Sequence, residues 1–229
     1  MSDLPSVEEY AAAYHGIRAR VRAMIEGASP AQLEATCPTT PAWRVRDTLA
    51  HVSGVPADVL AGRMENVASN EWTQAQVDAR RNADIDGMLA AWDAEASQLD
   101  PIMGAFPIVS LGQMVFDAYT HELDIAHALG VVTDKAVPAA TYAFEWVIAN
   151  GGAGTQQPLV LITEIGPVDF GAVQASSASL EISRFDFFRA VTGRRSATQI
   201  AQYPASGTVD PQMMLLAPIF ALSAVDIVE

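Results

Sequence analysis

Residues Gln113 to Gly130 read Q-M-V-F-D-A-Y-T-H-E-L-D-I-A-H-A-L-G. Asp117 and His121 are four apart and Asp124 lies three further on, so a helix of about 3.6 residues per turn brings all three side chains to one face within two turns. Val115, Phe116, Leu123, Ile125, Ala126 and Leu129 surround that polar stripe, which predicts a buried helix whose polar groups need partners. Two readings stay open on these residues: a bound cation, or an internal hydrogen-bonded Asp–His pair.

The rest of the composition bounds what such a helix can belong to. The 229 residues are 50% hydrophobic and 17% charged, the balance of a folded globular protein. Lys and Arg number 13 against 27 Asp and Glu, a net charge of -14 that repels phosphate backbones and anionic lipid and argues against a nucleic-acid or membrane partner. Cys37 is the one cysteine, so an internal disulfide and a cysteine-rich zinc framework are both excluded, and a reducing compartment fits. The opening M-S-D-L-P-S-V-E-E-Y is acidic and lacks the apolar core of a secretory signal. The longest apolar run, Met213 to Val225, contains Pro218 and is shorter than the roughly 20 residues of a membrane span. A cytoplasmic location is expected.

Outward from the central helix, the pattern is mostly helical up to residue 150. Val7, Tyr10, Tyr14, Ile17, Val21 and Met24 form one stripe on a first helix from about Ser6 to Glu26, with a Ser6/Glu9 capping box and Gly27 as the stop. Ser29-Pro30 starts a short turn through Leu33. Thr40-Pro41 reads as a cap and first residue of a second long helix through Leu60. His51 lies inside it, and taken alone is a satisfied core-edge histidine more often than a ligand. Glu71 to Asp100 reads as a third helix with Ile85, Leu89, Trp92 and Leu99 inward, and Pro138 begins another that runs to Asn150. Short links between long amphipathic helices favour an up-down bundle, an architecture that carries metal sites on inward-facing side chains.

The composition changes at N-G-G-A-G-T-Q-Q-P, residues 150 to 158, which reads as a linker. Leu159 to Thr163 is a β-branched run, Val168 to Gln174 a second candidate strand, and Ser183 to Thr192 a helix stopped by Gly193. Arg194 and Arg195 follow at a helix boundary. In an acidic chain such a pair invites an anionic ligand, with a surface salt bridge as the plain alternative. The apolar tail, Met213 to Val228, is expected to close the core of this smaller part. The fold class expected is mainly α: a helix bundle over residues 1–150 and a small α/β domain over residues 151–229.

Three segments together resemble a known family: T-T-P-A-W-R-V-R-D-T-L-A-H (Thr39 to His51), D-A-Y-T-H-E-L-D-I-A-H-A-L-G (Asp117 to Gly130) and F-F-R-A-V-T-G-R-R-S (Phe187 to Ser196). Their order and spacing resemble the mycothiol-dependent maleylpyruvate isomerase family, within the DinB-like metal-binding four-helix bundles. The resemblance implies a divalent metal, usually zinc, held by His51, Asp117 and His121. It also implies a low-molecular-weight thiol such as mycothiol, activated for isomerisation of, or transfer to, a small electrophilic substrate. Arg194 or Arg195 is then the candidate catalytic group for a carboxylate of substrate or thiol, Asp124 a candidate acceptor for a ligand histidine, and His127 structural. The alternatives are a hydrolytic or other thiol-dependent reaction on the same scaffold, or a non-catalytic small-ligand-binding protein. Where this chain has Asp117 the family it resembles usually has glutamate. One methylene less draws the carboxylate back by about 1.5 Å, a large step against zinc–oxygen distances of about 2.0–2.2 Å, so Asp117→Glu is expected to bind zinc more tightly.

Overall fold

A computed structural model describes residues 4–152, 155, 157–171 and 178–229. The chain forms two compact units that divide between Asp134 and Lys135. The helix that begins at Pro138 accordingly belongs with the second.

The first unit is a four-helix bundle with two short additions. Helix α1 is Val7–Glu26, α2 Pro30–Leu33, α3 Val45–Leu60, α4 Asn70–Arg80, α5 Ile85–Leu99 and α6 Ile108–Leu129. Ser6 caps α1 with the reciprocal Glu9 bond that the sequence implied. Gly130, at φ 69°, ends α6 in the left-handed conformation that a side chain disfavours. Helices α1 and α6 pack together, α6 packs on α3, and α3 on α5. The ring is closed by side chains between α5 and α1: Trp92 Nε1 donates to the Tyr14 hydroxyl at 2.8 Å, and Asp93 pairs with Arg18 and Arg22. Tyr10, Tyr14, Ile17, Val21 and Ile25 of α1 face Leu111, Val115, Tyr119, Leu123 and other buried residues of α6 in the core.

The polar groups of α6 find partners inside the bundle, as burial demands. Glu122, 1% exposed, takes a bidentate bond from Arg20 of α1 at 2.5 and 2.8 Å. Burial pushes its carboxyl above the usual carboxylate range, against the opposing pull of that guanidinium. Thr120 bonds back to the Phe116 carbonyl at 2.8 Å.

Two helix boundaries differ from the sequence reading. Thr40-Pro41 sits in a turn closed by Trp43 N–H on the Thr40 carbonyl and Cys37 N–H on the Trp43 carbonyl, so α3 begins only at Val45. Its first turn is capped from within, by the Asp47 carboxylate on the Arg44 N–H at 3.0 Å. The expected single helix from Glu71 to Asp100 is two, α4 and α5, because Asp84 turns its carboxylate to the Gly87 N–H at 2.7 Å and starts a new helix there. Periodicity alone did not show the break, since Val77, Leu89 and Trp92 are buried on both sides of it.

In the second unit α7 is Pro138–Trp146, α8 Arg184–Val191 and α9 Ala197–Ile200. Among the described residues four strands, β1 Leu159–Thr163, β2 Gly166–Phe170, β3 Ala178–Glu181 and β4 Ala205–Ser206, form one sheet in the order β2-β1-β3-β4. β1 pairs antiparallel with β2, from Leu159 opposite Phe170 to Thr163 opposite Gly166, and parallel with β3. The second strand therefore ends at Phe170, and residues 172–174 of its expected span lie outside the described residues. Phe170 and Phe187 meet edge to face at 5.0 Å and anchor α8 to the sheet. Of the apolar tail, Met214 and Ile227 are buried, whereas Val225 and Val228 are 60% and 81% exposed, so it contributes to the core at two points only. Among the described residues no helix is long and apolar enough to cross a membrane.

Candidate metal centre

The close approach of α3, α4 and α6 brings the polar side chains of the bundle together. Helix α3 carries His51, and α6 carries Asp117 and His121 one turn apart. On its other side α3 meets α4 at Gly54, where a Cβ would stand 2.9 Å from Gln76 Cβ and 3.1 Å from Arg80 Nη1. The missing side chain lets α4 lie close enough for Gln76 to reach His51.

His51, Asp117 and His121 each offer a ligand atom, and these atoms lie within 4.8 Å of one another. Asp117 Oδ1 is 3.5 Å from His51 Nε2 and 3.7 Å from His121 Nε2. The imidazoles stand perpendicular, at 84°, with ring centroids 4.7 Å apart. Trp43 lies over both rings at 5.2 and 5.9 Å, and Trp72 meets His51 edge-on at 6.4 Å. The two histidine side chains are 0% and 10% exposed and that of Asp117 31%, so the group has an apolar, closed floor and one open side at the carboxylate.

The second nitrogen of each ring is engaged. His121 Nδ1 lies 3.1 Å from Asp124 Oδ2; the carboxylate accepts, so Nδ1 carries the proton and Nε2 turns its lone pair toward Asp117. Burial pushes His121 below the ordinary histidine range, and the neighbouring His51 adds to this, outweighing Asp124 and Asp117. The neutral imidazole is the ligating form. His51 Nδ1 lies 2.6 Å from Gln76 Oε1. Its Nε2 is buried and has no hydrogen-bond partner among the described residues. A buried nitrogen left so costs roughly 1–3 kcal/mol, and a cation shared with the facing carboxylate removes that cost.

The two spacings at Asp117 suit a small divalent ion. Ligand bonds of about 2.0–2.2 Å in tetrahedral array place neighbouring donor atoms about 3.3–3.6 Å apart, close to the 3.5 and 3.7 Å from Asp117 Oδ1 to the two nitrogens. The Asp117 oxygen thus stands beside both ring nitrogens without an extra methylene, within α6 for His121 and across the approach of α3 for His51. This spacing favours the opposite outcome for Asp117→Glu. The added methylene now enters a seam between Trp43 and two imidazoles, and overpacking of that kind costs about 1–3 kcal/mol. Zinc affinity, measured by chelator competition, is expected to fall about 5- to 100-fold; tighter binding would show that the aspartate is held too far back.

Among the other residues singled out, Asp124 makes the histidine bond expected of it, and His127 is half-buried. His15, on α1, pairs with Asp100 at 3.1 Å. Cys37 is fully buried, with Sγ directed at the Asp124 carbonyl 3.4 Å away and beside Thr39 Oγ1 at 3.3 Å. Arg194 and Arg195 belong to the second unit and are 4% and 3% exposed. The anion that such a pair invites is supplied by the chain: Arg195 Nη2 lies 2.8 Å from Asp186 Oδ1 and its Nη1 2.9 Å from Glu229 Oε2, while Arg194 bonds the Thr192 carbonyl at 2.5 Å and stacks near Phe220. Sequence reasoning missed Gln76, Asp58 and Trp72. Trp72 and Gln76 do sit four apart on α4, but no residue pattern reveals that this face meets α3.

No family model and no curated protein matches the sequence. Two solved structures match the fold. One is the crystal structure of the mycothiol-dependent maleylpyruvate isomerase, with a TM-score of 0.63, 16% identity, and coverage of 91% of this chain and 96% of that one. The other is a histidine-to-alanine mutant of the mycothiol-dependent maleylpyruvate isomerase, with the same TM-score of 0.63 and the same coverage at 14% identity. At such identities the likeness is one of architecture: this chain has a fold related to that of the mycothiol-dependent maleylpyruvate isomerase, mainly α with a small α/β part.

Proposed function

We propose that His51, Asp117 and His121 hold one divalent ion, zinc by the match to their donor set, and that the chain is an enzyme that uses a small thiol to isomerise, or to add to, a small electrophile. The observation that carries the reading is the buried, partnerless His51 Nε2 facing Asp117 Oδ1, with His121 Nε2 completing the set. Two imidazoles and one carboxylate leave a fourth position for a reactant, the arrangement of catalytic zinc. Such an ion supplies Lewis acidity that makes a thiol or water reaching it more acidic.

The chain's own residues do the rest. Asp124 fixes the proton of His121 on Nδ1, Trp43 excludes water from above both rings, and the half-open Asp117 side is where a reactant enters. No protein thiol is placed to act as nucleophile. Cys37 is fully buried and its sulfur is turned to a backbone carbonyl, so the thiol comes from outside, as it does in the mycothiol-dependent isomerase whose fold this chain resembles.

Mycothiol and a maleylpyruvate-like cis-enoic acid are the first pair to assay. Thiol-dependent isomerisation is expected; turnover of an ester or amide with no thiol added would instead place the chain among hydrolases on the same scaffold. Cys37→Ser is expected to leave thiol-dependent turnover within about twofold of wild type, since the buried sulfur is turned to the Asp124 carbonyl and a serine hydroxyl can bond there in its place. A dead but folded variant would move the nucleophile into the protein.

A further inference from the structure

The side of His51 turned away from Asp117 leads through two buried side chains to the edge of the bundle. His51 Nδ1 lies 2.6 Å from Gln76 Oε1, and Gln76 Nε2 lies 2.8 Å from Asp58 Oδ2. Asp58 Oδ1 receives Arg63 through Nε at 2.8 Å and Nη2 at 2.7 Å. Gln76 is 2% exposed and Asp58 8%.

We propose that Asp58 and Gln76 are positioning residues that fix the proton of His51 on Nδ1, leaving Nε2 as a bare lone pair aimed at Asp117. The direction of every bond follows from what each group can do. A carboxylate paired with a guanidinium only accepts, so the group that Gln76 presents to Asp58 is its amide nitrogen. The amide oxygen is then turned to His51. An oxygen cannot donate, so Nδ1 must carry the hydrogen, and a neutral imidazole protonated there has its free pair on Nε2. Arg63, on the far oxygen, keeps Asp58 in the orientation that starts the sequence. His121 reaches the same state by a shorter route, directly through Asp124. The two rings are thus set alike by different means, and both nitrogens that face Asp117 are acceptors.

The relay depends on the metal reading for its purpose, though not for its geometry. Without it His51 would protonate Nε2 and donate to Asp117 Oδ1, 3.5 Å away, closing the position to a cation.

Asp58→Asn tests this with no change of shape. The asparagine keeps its carbonyl on Arg63 and offers an amide N–H to Gln76, whose own amide must turn over to accept it. Its nitrogen then faces His51 Nδ1, and the proton moves to Nε2. Long-range 1H–15N correlation spectra of the metal-free full chain, at about pH 8 where a free imidazole is neutral, read the tautomer directly. Wild type is expected to show Nδ1–H for His51, and Asp58→Asn and Gln76→Leu to show Nε2–H. Zinc affinity by chelator competition is expected to fall about 10- to 100-fold in both, the range for loss of a partner behind a ligand histidine. Nε2–H in wild type, or an unchanged tautomer in both variants, overturns the proposal. Unchanged zinc affinity in a variant whose tautomer has moved overturns the relay's role at the metal centre. A wild-type chain that shows Nδ1–H and the tautomer shift yet takes up no zinc supports the relay and sinks the metal reading instead.

Discussion

His51→Ala and His121→Ala are each expected to lower zinc affinity by more than about 100-fold, beyond the 10- to 100-fold typical of losing a partner behind a ligand. Each removes one of the three proposed donors: in His51→Ala, Asp124 stays bonded to His121, and in both variants the Cys37 sulfur is turned to a backbone carbonyl. The metal-free bundle is expected to stay folded in His51→Ala, because the His51 Nε2 that is lost has no partner to leave behind. The Gln76 oxygen does lose its donor, so a moderate destabilisation accompanies the change. Chelator competition gives the affinities and circular dichroism the fold. Equal zinc binding by wild type and both variants would refute the ligand set.

Glu229→Ala is expected to destabilise the second unit by about 3–5 kcal/mol, the cost of removing one partner from a buried ion pair. Arg189, whose side chain is 0% exposed, reaches the Glu229 carboxylate at 2.6 and 2.9 Å, and Arg195 reaches it at 2.9 Å. Burial raises the Glu229 carboxyl, but the two guanidinia outweigh it and hold the group below the usual carboxylate range. Asp186, against burial of its own, is held down by Arg195 and Ser183. Both folded values lie below the unfolded ones. Their stabilisation is therefore complete above about pH 4.3, and is lost as pH falls through the folded values. Urea unfolding across pH 3 to 7 checks both points: Glu229→Ala should show a lower midpoint at neutral pH and a shallower loss in acid. A variant as stable as wild type would mean that Arg189 and Arg195 are satisfied without this carboxylate.

What the sequence made legible is what local chemistry decides. The Ser6/Glu9 box and the Gly130 stop both appear where their residues demand. The i, i+4, i+7 spacing of Asp117, His121 and Asp124 put them on one face, and β1 emerged from its β-branched run with its ends intact. The parts that were hidden depend on contacts between elements. Asp84 restarts a helix inside a pattern that continues smoothly through it. β3 is a four-residue strand, A-S-L-E, recognisable only through its pairing with β1 and β4. For Arg195 the sequence leaves an anionic ligand and a salt bridge both open, and only the folded chain brings Glu229, 34 residues away, against it. At the centre, the distance that decides whether an aspartate suffices is set by how closely α3 and α6 approach, which side-chain identity does not encode.

The measurement that bears most directly on the metal centre is X-ray absorption of the zinc-loaded chain after titration of chelator-stripped protein. Saturation at one ion per chain, with a shell of two imidazole nitrogens plus oxygen and no sulfur, is the result predicted from His51, Asp117 and His121. A shell without imidazole, a sulfur neighbour that would implicate Cys37, or no saturable uptake of zinc would contradict it.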